Sequence, residues 1–569
     1  MLRLYGASVV ALAAVLVYVR GLSAPFVLDD LSAIVDNANL RQLSTAFSPP
    51  PDTALSGRPI VHATFAVNYL AGGLEPSGYR AVNLAVHLLN ALLAWGLLIQ
   101  LLRRHPLPEW LRERSHHVAL AIVALWTLHP LQTELVMYVV QRTELLAATS
   151  ILLALWFSLR SLERGGGRRD ALVAALAVAI GSGCKETVIS APALVLCLDL
   201  AFFSTSFRVA FSKHRWLYAG LCIGILPLFA LQLAGARDQT AGFGLGVSPL
   251  DSLAVQGEAI ALYLSLIGWP DTLSITYNWP VDGALARYWL ADLGVCTLVA
   301  CTLYLSWRKS PAALPGWFFF SLLAPSSSFV PIISEVVAER RMYLPLAAAL
   351  SIPVLFVARA IHARGASTVP MTLAAVSCGA LALACAVRSF ARVSDYRTTE
   401  ALFTSALQAA PDNPQAMWGL GQAFEANGET ARALELYERM AATPYPYLGP
   451  ASWGTRGLMA QADLLGRQGK ADAAAATLRR ALTHDPDSAI GGLQHAADLA
   501  RAGDATGART VLLGLLGQPF LHDRIHLEIG LMQLRLGHDA SAREHFAQAL
   551  EVTTDRAKLE ARIAGLSAR

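Results

Sequence analysis

The sequence predicts an all-α chain in which a many-spanning membrane domain is followed by an α-helical repeat solenoid. Three observations carry that reading. Of 569 residues, 54% are apolar and only 15% charged, where soluble domains carry about 25% charged residues. Apolar stretches near 20 residues long, enough to cross a bilayer, recur through the first two thirds. The last third turns Ala-rich and charged, with a fixed internal period. A chain of this length exceeds one hydrophobic core, and the composition divides it into 1–391 and 392–569.

The first apolar stretch, 4–22, has a short positive start at Arg3. Tyr18-Val19-Arg20 stands where a signal peptide would carry small residues, so a retained anchor is expected. Further stretches lie near 80–102, 116–131, 143–162, 170–184, 187–204, 215–234, 288–306, 315–333, 342–361 and 369–389. That makes eleven candidate spans, several of them short, which is tolerated where backbone is buried in protein. Basic clusters fall at Arg103-Arg104 with Arg112 and Arg114, at Arg164 with Arg168-Arg169, at Arg208, Lys213 and Arg215, at Arg308-Lys309, and at Arg359 and Arg364. With the N-terminus in the cytoplasm, each cluster follows an even-numbered span and lies inside. Counting the apolar run 254–267 as a span would reverse every later loop, so it is expected to be re-entrant or interfacial.

This topology puts Phe26–Tyr79, Leu131–Arg142, Cys184–Glu186, Ala236–Trp289, Pro331–Arg341 and everything after about Ser389 on the outer face. Nearly all the notable charges near the membrane fall on those loops: Asp29, Asp30, Arg58, Glu134, Arg142, Glu144, Lys185, Glu186, Glu335, Glu339, Arg340 and Arg341. In the polar third, Gly469, Gly503 and Gly537 are spaced by 34, and Ala474, Ala508 and Ala542 keep the same spacing. Gly428 with Ala433 is an earlier copy, displaced by the insert 444–450. A 34-residue helix–turn–helix period with small residues at the helix contact is the tetratricopeptide pattern. About four repeats are expected, with a leading half-repeat at 399–412 and a capping helix at 555–569.

Asp29 and Asp30 head the candidate chemistry. A carboxylate at a membrane-surface cavity is suited to take a proton from an acceptor hydroxyl, and its neighbour would orient it or raise its pKa. Of the two, Asp30 is favoured as base. The bland alternative is a helix N-cap for the turn Leu31–Val35. Arg58, Arg142, Lys185, Arg340 and Arg341 run against the positive-inside bias. The bland reading pairs Arg142 with Glu144 and Lys185 with Glu186; together the cations suggest a phosphate site, since guanidinium groups match phosphate oxygens in pairs. His62, His87 and His129 match no metal spacing, and although an Asp-Asp pair suits a divalent cation, nothing completes an oxygen shell, so no metal is expected. The seven cysteines sit in or beside apolar segments without a CxxC pair, which signals neither zinc nor a disulfide framework. No phosphate-binding glycine loop or nucleophile elbow occurs; neither a nucleotide donor nor a nucleic-acid partner is expected.

The ordered set of residues has a family likeness. It runs from Asp29-Asp30 through Arg58-Pro59, Asn68-Tyr69, Gly73, Pro76-x-x-Tyr79, Asn83, His87 and His129-Pro130-x-x-Thr133-Glu134. It continues with Arg142-x-Glu144, Lys185-Glu186 and Glu339-Arg340-x-x-Tyr343-Leu344-Pro345. This order resembles the transmembrane, tetratricopeptide-containing O-mannosyltransferases of the GT-C glycosyltransferase superfamily, departing from them at Gln141 and Arg341. The resemblance implies a GT-C-type membrane domain that moves a hexose, mannose or another, from a polyprenyl-phosphate lipid to a Ser or Thr hydroxyl of an extracytoplasmic protein. It maps the base onto Asp29 or Asp30, and the donor phosphate onto Arg142, Lys185 and Arg340, with Arg58 joining them. Glu134, Glu144, Glu186, Glu339 and Arg341 would support the site. The Ala- and Arg-rich composition suggests a bacterial inner membrane, with the repeats in the periplasm facing a polypeptide. A non-enzymatic scaffold, with the membrane part anchoring the repeats, is the alternative.

Overall fold

The computed structural model describes residues 2–50, 53–234, 249–277, 279, 285–327, 335–365, 368–443 and 453–470, then 473–474, 476–477, 480–481, 496, 522–535, 538–552, 559 and 563. Among the described residues all regular structure is helical. The chain divides into two compact units, Met1–Ala409 and Ala410–Arg569.

The first unit begins with α1 (Leu2–Tyr18), α2 (Pro59–Gly72) and α3 (Pro76–Leu102). Pro59 and Pro76 sit in the first turns of α2 and α3, where a missing N–H costs nothing. Between them Gly73 takes φ 61° and donates its N–H to Tyr69 O at 2.7 Å, the left-handed turn that a side chain resists. After α4 (Glu109–Glu113) come α5 (Ser115–Leu128), α6 (Thr133–Met137), α7 (Arg142–Glu163), α8 (Arg168–Ser182), α9 (Ala191–Phe202), α10 (Phe207–Lys213) and α11 (Arg215–Ala234). Then follow α12 (Pro249–Gly268), α13 (Leu285–Trp307), α14 (Leu314–Ser327), α15 (Tyr343–Ala363), α16 (Thr368–Asp395) and α17 (Thr399–Ala409).

α7 is the hub: it packs on α3, α8 and α9, and two thirds of its apolar window is buried (67%). Its inward face carries small residues, Ala147, Ala148, Ser150 and Ala154, which let neighbours approach closely. On the peripheral helices the large apolar side chains point outward instead, such as Leu12 and Leu16 of α1, Ile223 and Phe229 of α11, and Leu373 and Leu383 of α16. A surface of that extent is unstable in water and belongs in lipid. The chain is an integral membrane protein.

Each of the eleven apolar stretches holds a helix, but not each is long enough to cross alone. Among the described residues six helices meet the length and apolarity for a span, and two bent pairs, Ser115–Leu128 with Pro130–Met137 and Glu186–Phe202 with Phe207–Lys213, bring the number to eight if each pair is one span. The helices at Tyr5–Gly21, Leu253–Gly268 and Pro311–Pro325 are shorter, and α8 has 15 residues. The shortfall has a local cause at His129-Pro130: the proline removes a ladder N–H, and the chain bends by 58°. His129 Nδ1 accepts the Leu131 N–H at 3.2 Å, so its Nε2 carries the proton and donates to Ile267 O at 3.1 Å.

In the second unit α18 (Pro414–Ala426), α19 (Thr430–Ala442) and α20 (Trp453–Arg467) pack in succession. The turn glycines Gly428 and Gly469 have φ 77° and 76°, which explains why glycine recurs there. Ala433 and Ala542 are fully buried and Ala474 nearly so, as small contact residues require. Tyr437 lies across Gly421, where a Cβ would come within 2.5 Å of its ring. The expectations at Gly503, Ala508, Gly537, the insert 444–450 and most of 555–569 lie outside the described residues.

Candidate functional site

Four segments expected on one face meet in the structure. After α1 the chain turns and presents the carbonyls of Leu22, Ala24 and Pro25 to the buried guanidinium of Arg80. Arg80 donates to Leu22 O at 3.3 Å, to Pro25 O at 2.6 Å and to Ala24 O, while its Nε donates to Met137 O at 2.7 Å. One side chain from α3 thereby clips the start of the 26–79 loop to the end of α6. Leu28 then takes φ 49°, a strained setting for a branched side chain. Beyond this turn Asp29 is exposed and Asp30 fully buried.

Asp30 is held by amides from two segments. Its Oδ2 accepts from Val27 N at 3.2 Å and Val139 N at 3.3 Å, and its Oδ1 accepts from Val140 N at 2.7 Å. Its side chain caps no N–H of the turn Leu31–Val35, so Asp30 is not the N-cap of the bland alternative; its carboxylate staples the loop to the 138–141 turn instead. Burial raises its pKa to about 7 from 3.8, with Arg80 and the three amides holding it from rising further. The backbone N–H of Asp29 donates to the hydroxyl of Tyr138 at 3.1 Å. Tyr138 lies within electrostatic reach of Asp29, Asp30, Arg340 and Glu335.

The cations pair across segments rather than with their sequence neighbours. Arg58 meets Glu186 at 3.0 Å and Lys185 meets Glu144 at 2.6 Å, in place of the Lys185–Glu186 and Arg142–Glu144 pairs of the bland reading. Arg340 Nη1 donates to Glu134 Oε1 at 2.7 Å, its backbone N–H to Glu134 Oε2 at 3.0 Å, and its Nη2 contacts Glu335. Lys185 feels the charges of Glu144, Glu186, Arg58 and Arg340. Arg58, Glu134, Glu144, Lys185, Glu186, Glu335 and Arg340 thus form one electrostatic set beside Asp29 and Tyr138. Burial lowers the Lys185 pKa, opposed by Glu144 and Glu186. Burial would raise Glu335, but Arg340, Arg341 and Lys185 hold it below its ordinary value. Glu186 and Glu335 keep 29% and 38% of their side chains exposed, so the set is reachable from outside through its carboxylates.

Three expected site residues are occupied elsewhere. Arg142 is fully buried and donates to Asn83 Oδ1 at 2.8 Å, Asn68 Oδ1 at 2.6 Å, Thr64 Oγ1 at 3.3 Å and Tyr79 O at 2.8 Å. Its guanidinium lies 4.4 Å from the Phe65 ring centroid. With four of five N–H groups engaged by neutral acceptors, it ties α2, α3 and α7 together. Arg341 donates to Val336 O at 2.6 Å and to Glu335 O. Glu339 accepts from Ser274 N at 2.6 Å and Tyr277 OH at 2.8 Å, with Arg392 3.9 Å away. His62 is buried against Ala46 O and Asn37, and His87 against Tyr343 OH and Thr127 O, which gives both structural roles. Among the described residues no group of three metal-ligating side chains occurs.

Arg80, Tyr138 and Arg392 were not singled out by the sequence reading. An arginine four residues into a long apolar helix was the available signal for Arg80, since an ionisable group in a span calls for a partner.

Fold and site define an integral membrane protein with a tetratricopeptide region and a charged cluster at one end of its helical bundle. A profile described as "Tetratricopeptide repeat" matches residues 386–447 and 459–491. The Protein O-mannosyl-transferase TMTC4 of Mus musculus is 26% identical over 498 residues, covering 75% of this chain and 65% of its own length; TMTC4 of Homo sapiens is 26% identical over 499 residues with the same shares. Tmtc1 of Drosophila melanogaster is 36% identical over 200 residues, covering 33% of this chain and 21% of its own. The chain is thus TMTC-like over three quarters of its length, as the ordered motifs implied, while spanning less than two thirds of those relatives. A solved tetratricopeptide protein of Thermus thermophilus is 24% identical and covers 32% of this chain and 95% of its own, at a TM-score of 0.26.

Proposed function

We propose that this chain is a glycosyltransferase that moves a hexose from a polyprenyl-phosphate lipid to a Ser or Thr hydroxyl of an extracytoplasmic polypeptide, with inversion at the anomeric carbon. The observation that carries the proposal is that the exposed carboxylate Asp29 and the guanidinium of Arg340 both act on Tyr138, with Lys185 and Arg58 in the same electrostatic set. The names of the relatives supply the reaction class. Asp29 is the better base of the two aspartates, because the oxygens of Asp30 are already engaged by backbone amides.

In the step, Asp29 takes the proton of the acceptor hydroxyl, and the acceptor oxygen forms a bond to the anomeric carbon. The bond from that carbon to the phosphate oxygen breaks, its electron pair leaving with the polyprenyl phosphate. The developing phosphate charge is met by Arg340, Lys185 and Arg58, whose donors turn from carboxylate to phosphate oxygens. Glu186 and Glu335, partly solvated, take up water as they are released. Asp30 and Arg80 hold the loop that aims Asp29. The tetratricopeptide region offers a polypeptide-binding surface, and its partner here is the acceptor.

The test is a reconstituted assay with a polyprenyl-phosphate hexose and a Ser/Thr-rich peptide, read by peptide mass. Asp29→Asn is expected to lower the rate by about 10²–10⁴, the span of general-base contributions, at unchanged protein level. Undiminished transfer by Asp29→Asn would sink the base assignment; no hexose transfer by the wild type from any lipid-linked donor would sink the reaction class.

A further inference from the structure

A second basic cluster lies at the other end of the bundle and has no part in the chemistry above. α3 runs from Arg80 at the candidate site to Arg103, 23 residues on, which is about 35 Å of helix. There the ends of α3, α7 and α9 border an open cavity of about 480 Å³ lined by Gln100, Arg103, Arg104, His105, Glu163 and Phe202.

Positive charge at helix C-termini has an ordinary explanation in the helix dipole. Two features go beyond it. Arg103 and Arg104 are both fixed in place. Arg103 reaches Ser115 Oγ at 3.2 Å and His116 Nε2 at 2.8 Å, while Arg104 pairs with Glu163 and lies 4.9 Å from the Phe203 ring centroid. The Nε of Arg104 is nonetheless buried without a hydrogen-bond partner among the described residues, an arrangement costly to leave unmet. Arg112 adds a third cation through His105, at 3.0 Å.

The surroundings place this cavity at the headgroup plane of a bilayer. The chain bends by 107° between α9 and α10, and α10 exposes Phe207 and Phe211 beside Arg208 and Lys213. That is the pattern of a helix lying in the interface. At the neighbouring helix starts and ends, Arg168 lies 5.1 Å from the exposed Trp216 ring and Trp110 stacks on His362 at 5.0 Å, in keeping with an interfacial aromatic belt. A basic cavity between helix ends at that depth suits a lipid phosphate.

We propose that the cavity lined by Arg103, Arg104 and His105 binds the phosphate headgroup of an anionic phospholipid, separate from the Asp29 site. The headgroup oxygens accept from Arg103 and Arg104, and the acyl chains run along the outer faces of α3 and α9. Glu163 is the internal brake, since it shares Arg104 with the ligand.

The full chain, purified in mild detergent, is titrated with phosphatidylglycerol or phosphatidylcholine and the retained lipid counted by native mass spectrometry. Phosphatidylglycerol is expected to be retained about tenfold better, the order of effect of one or two cations on an anionic headgroup. R103Q/R104Q is expected to abolish the preference, and E163Q to strengthen it. Equal retention of the two lipids by the wild type would overturn the proposal. Should R103Q/R104Q fail to fold, E163Q decides: unchanged or weaker retention overturns it. Displacement of the lipid by inorganic phosphate at matched ionic strength would assign the cavity to free phosphate and also overturn it.

Discussion

Asp29 and Asp30 are adjacent in sequence and opposite in environment, and the difference has consequences that separate them in solution. Because burial raises Asp30 to about 7 from 3.8, the folded state binds more protons than the unfolded state between those values. Stability therefore falls as pH rises through that window, and is greatest below it. The apparent melting temperature in detergent should fall from pH 4 to pH 7, and Asp30→Asn should flatten that slope. Asp29→Asn should leave the slope intact while removing transfer. A second residue-scale expectation concerns Arg80, which holds four carbonyls at once. Arg80→Lys keeps the charge but loses the fork geometry, so transfer should drop with KM for the acceptor little changed, because the loop that aims Asp29 loosens. At this scale the sequence singled out charges on short loops, because they stand out against an apolar background. It offered the wrong partners: Lys185 and Glu186 are neighbours in the chain, yet each pairs with a residue on a distant segment, Glu144 and Arg58.

Among the elements, the bends carry most of the site. The break at His129-Pro130 delivers Glu134 to Arg340, and the turn from Tyr138 to Gln141 delivers two amides to Asp30. Lys185 and Glu144 join the α8 end to the start of α7 through a nearly buried ion pair. Lys185→Met strands Glu144, and breaking such a pair costs about 3–5 kcal/mol; the double change Lys185→Met with Glu144→Gln should recover most of it. Thermal melting of the wild type and the two variants checks this, and a double mutant no more stable than the single would show that the pair is not the source. Arg142→Lys should destabilise by losing contacts to α2 and α3, without selectively weakening donor binding, whereas Arg340→Gln should raise KM for the lipid donor. The eleven apolar stretches were legible as helices because composition alone sets that; their lengths were not, because proline breaks and cooperative packing decide where a helix stops.

At the level of the whole molecule, the boundary that composition drew at 391/392 falls inside the long helix α16, while the compact units divide at Ala409/Ala410. Arg392 reaches forward to Asp395 and Ser405, at 2.9 Å and 3.1 Å, so α17 is packed with the membrane unit although its sequence reads as a half-repeat. The repeat period was readable because turn glycines, positive in φ at Gly428 and Gly469, admit few substitutes. Residues 410–569 produced alone should be soluble and helical by circular dichroism, with Tyr437 and Phe546 in packed cores; a chain that stays unfolded would contradict the independence of the second unit.

The pairing of Arg58, Lys185 and Arg340 with glutamates has a kinetic meaning on the proposed reading. An empty site whose cations are bare would gather any passing phosphate or nucleotide from solution. Here the glutamates act as resident competitors, so an anion enters only if it brings enough additional contact to displace them. A long polyprenyl tail buried in the membrane supplies that surplus, and a free sugar phosphate does not. Selectivity for a lipid-bound donor would then arise without a pocket for the lipid at the reacting end: the tether wins a contest that the carboxylates set.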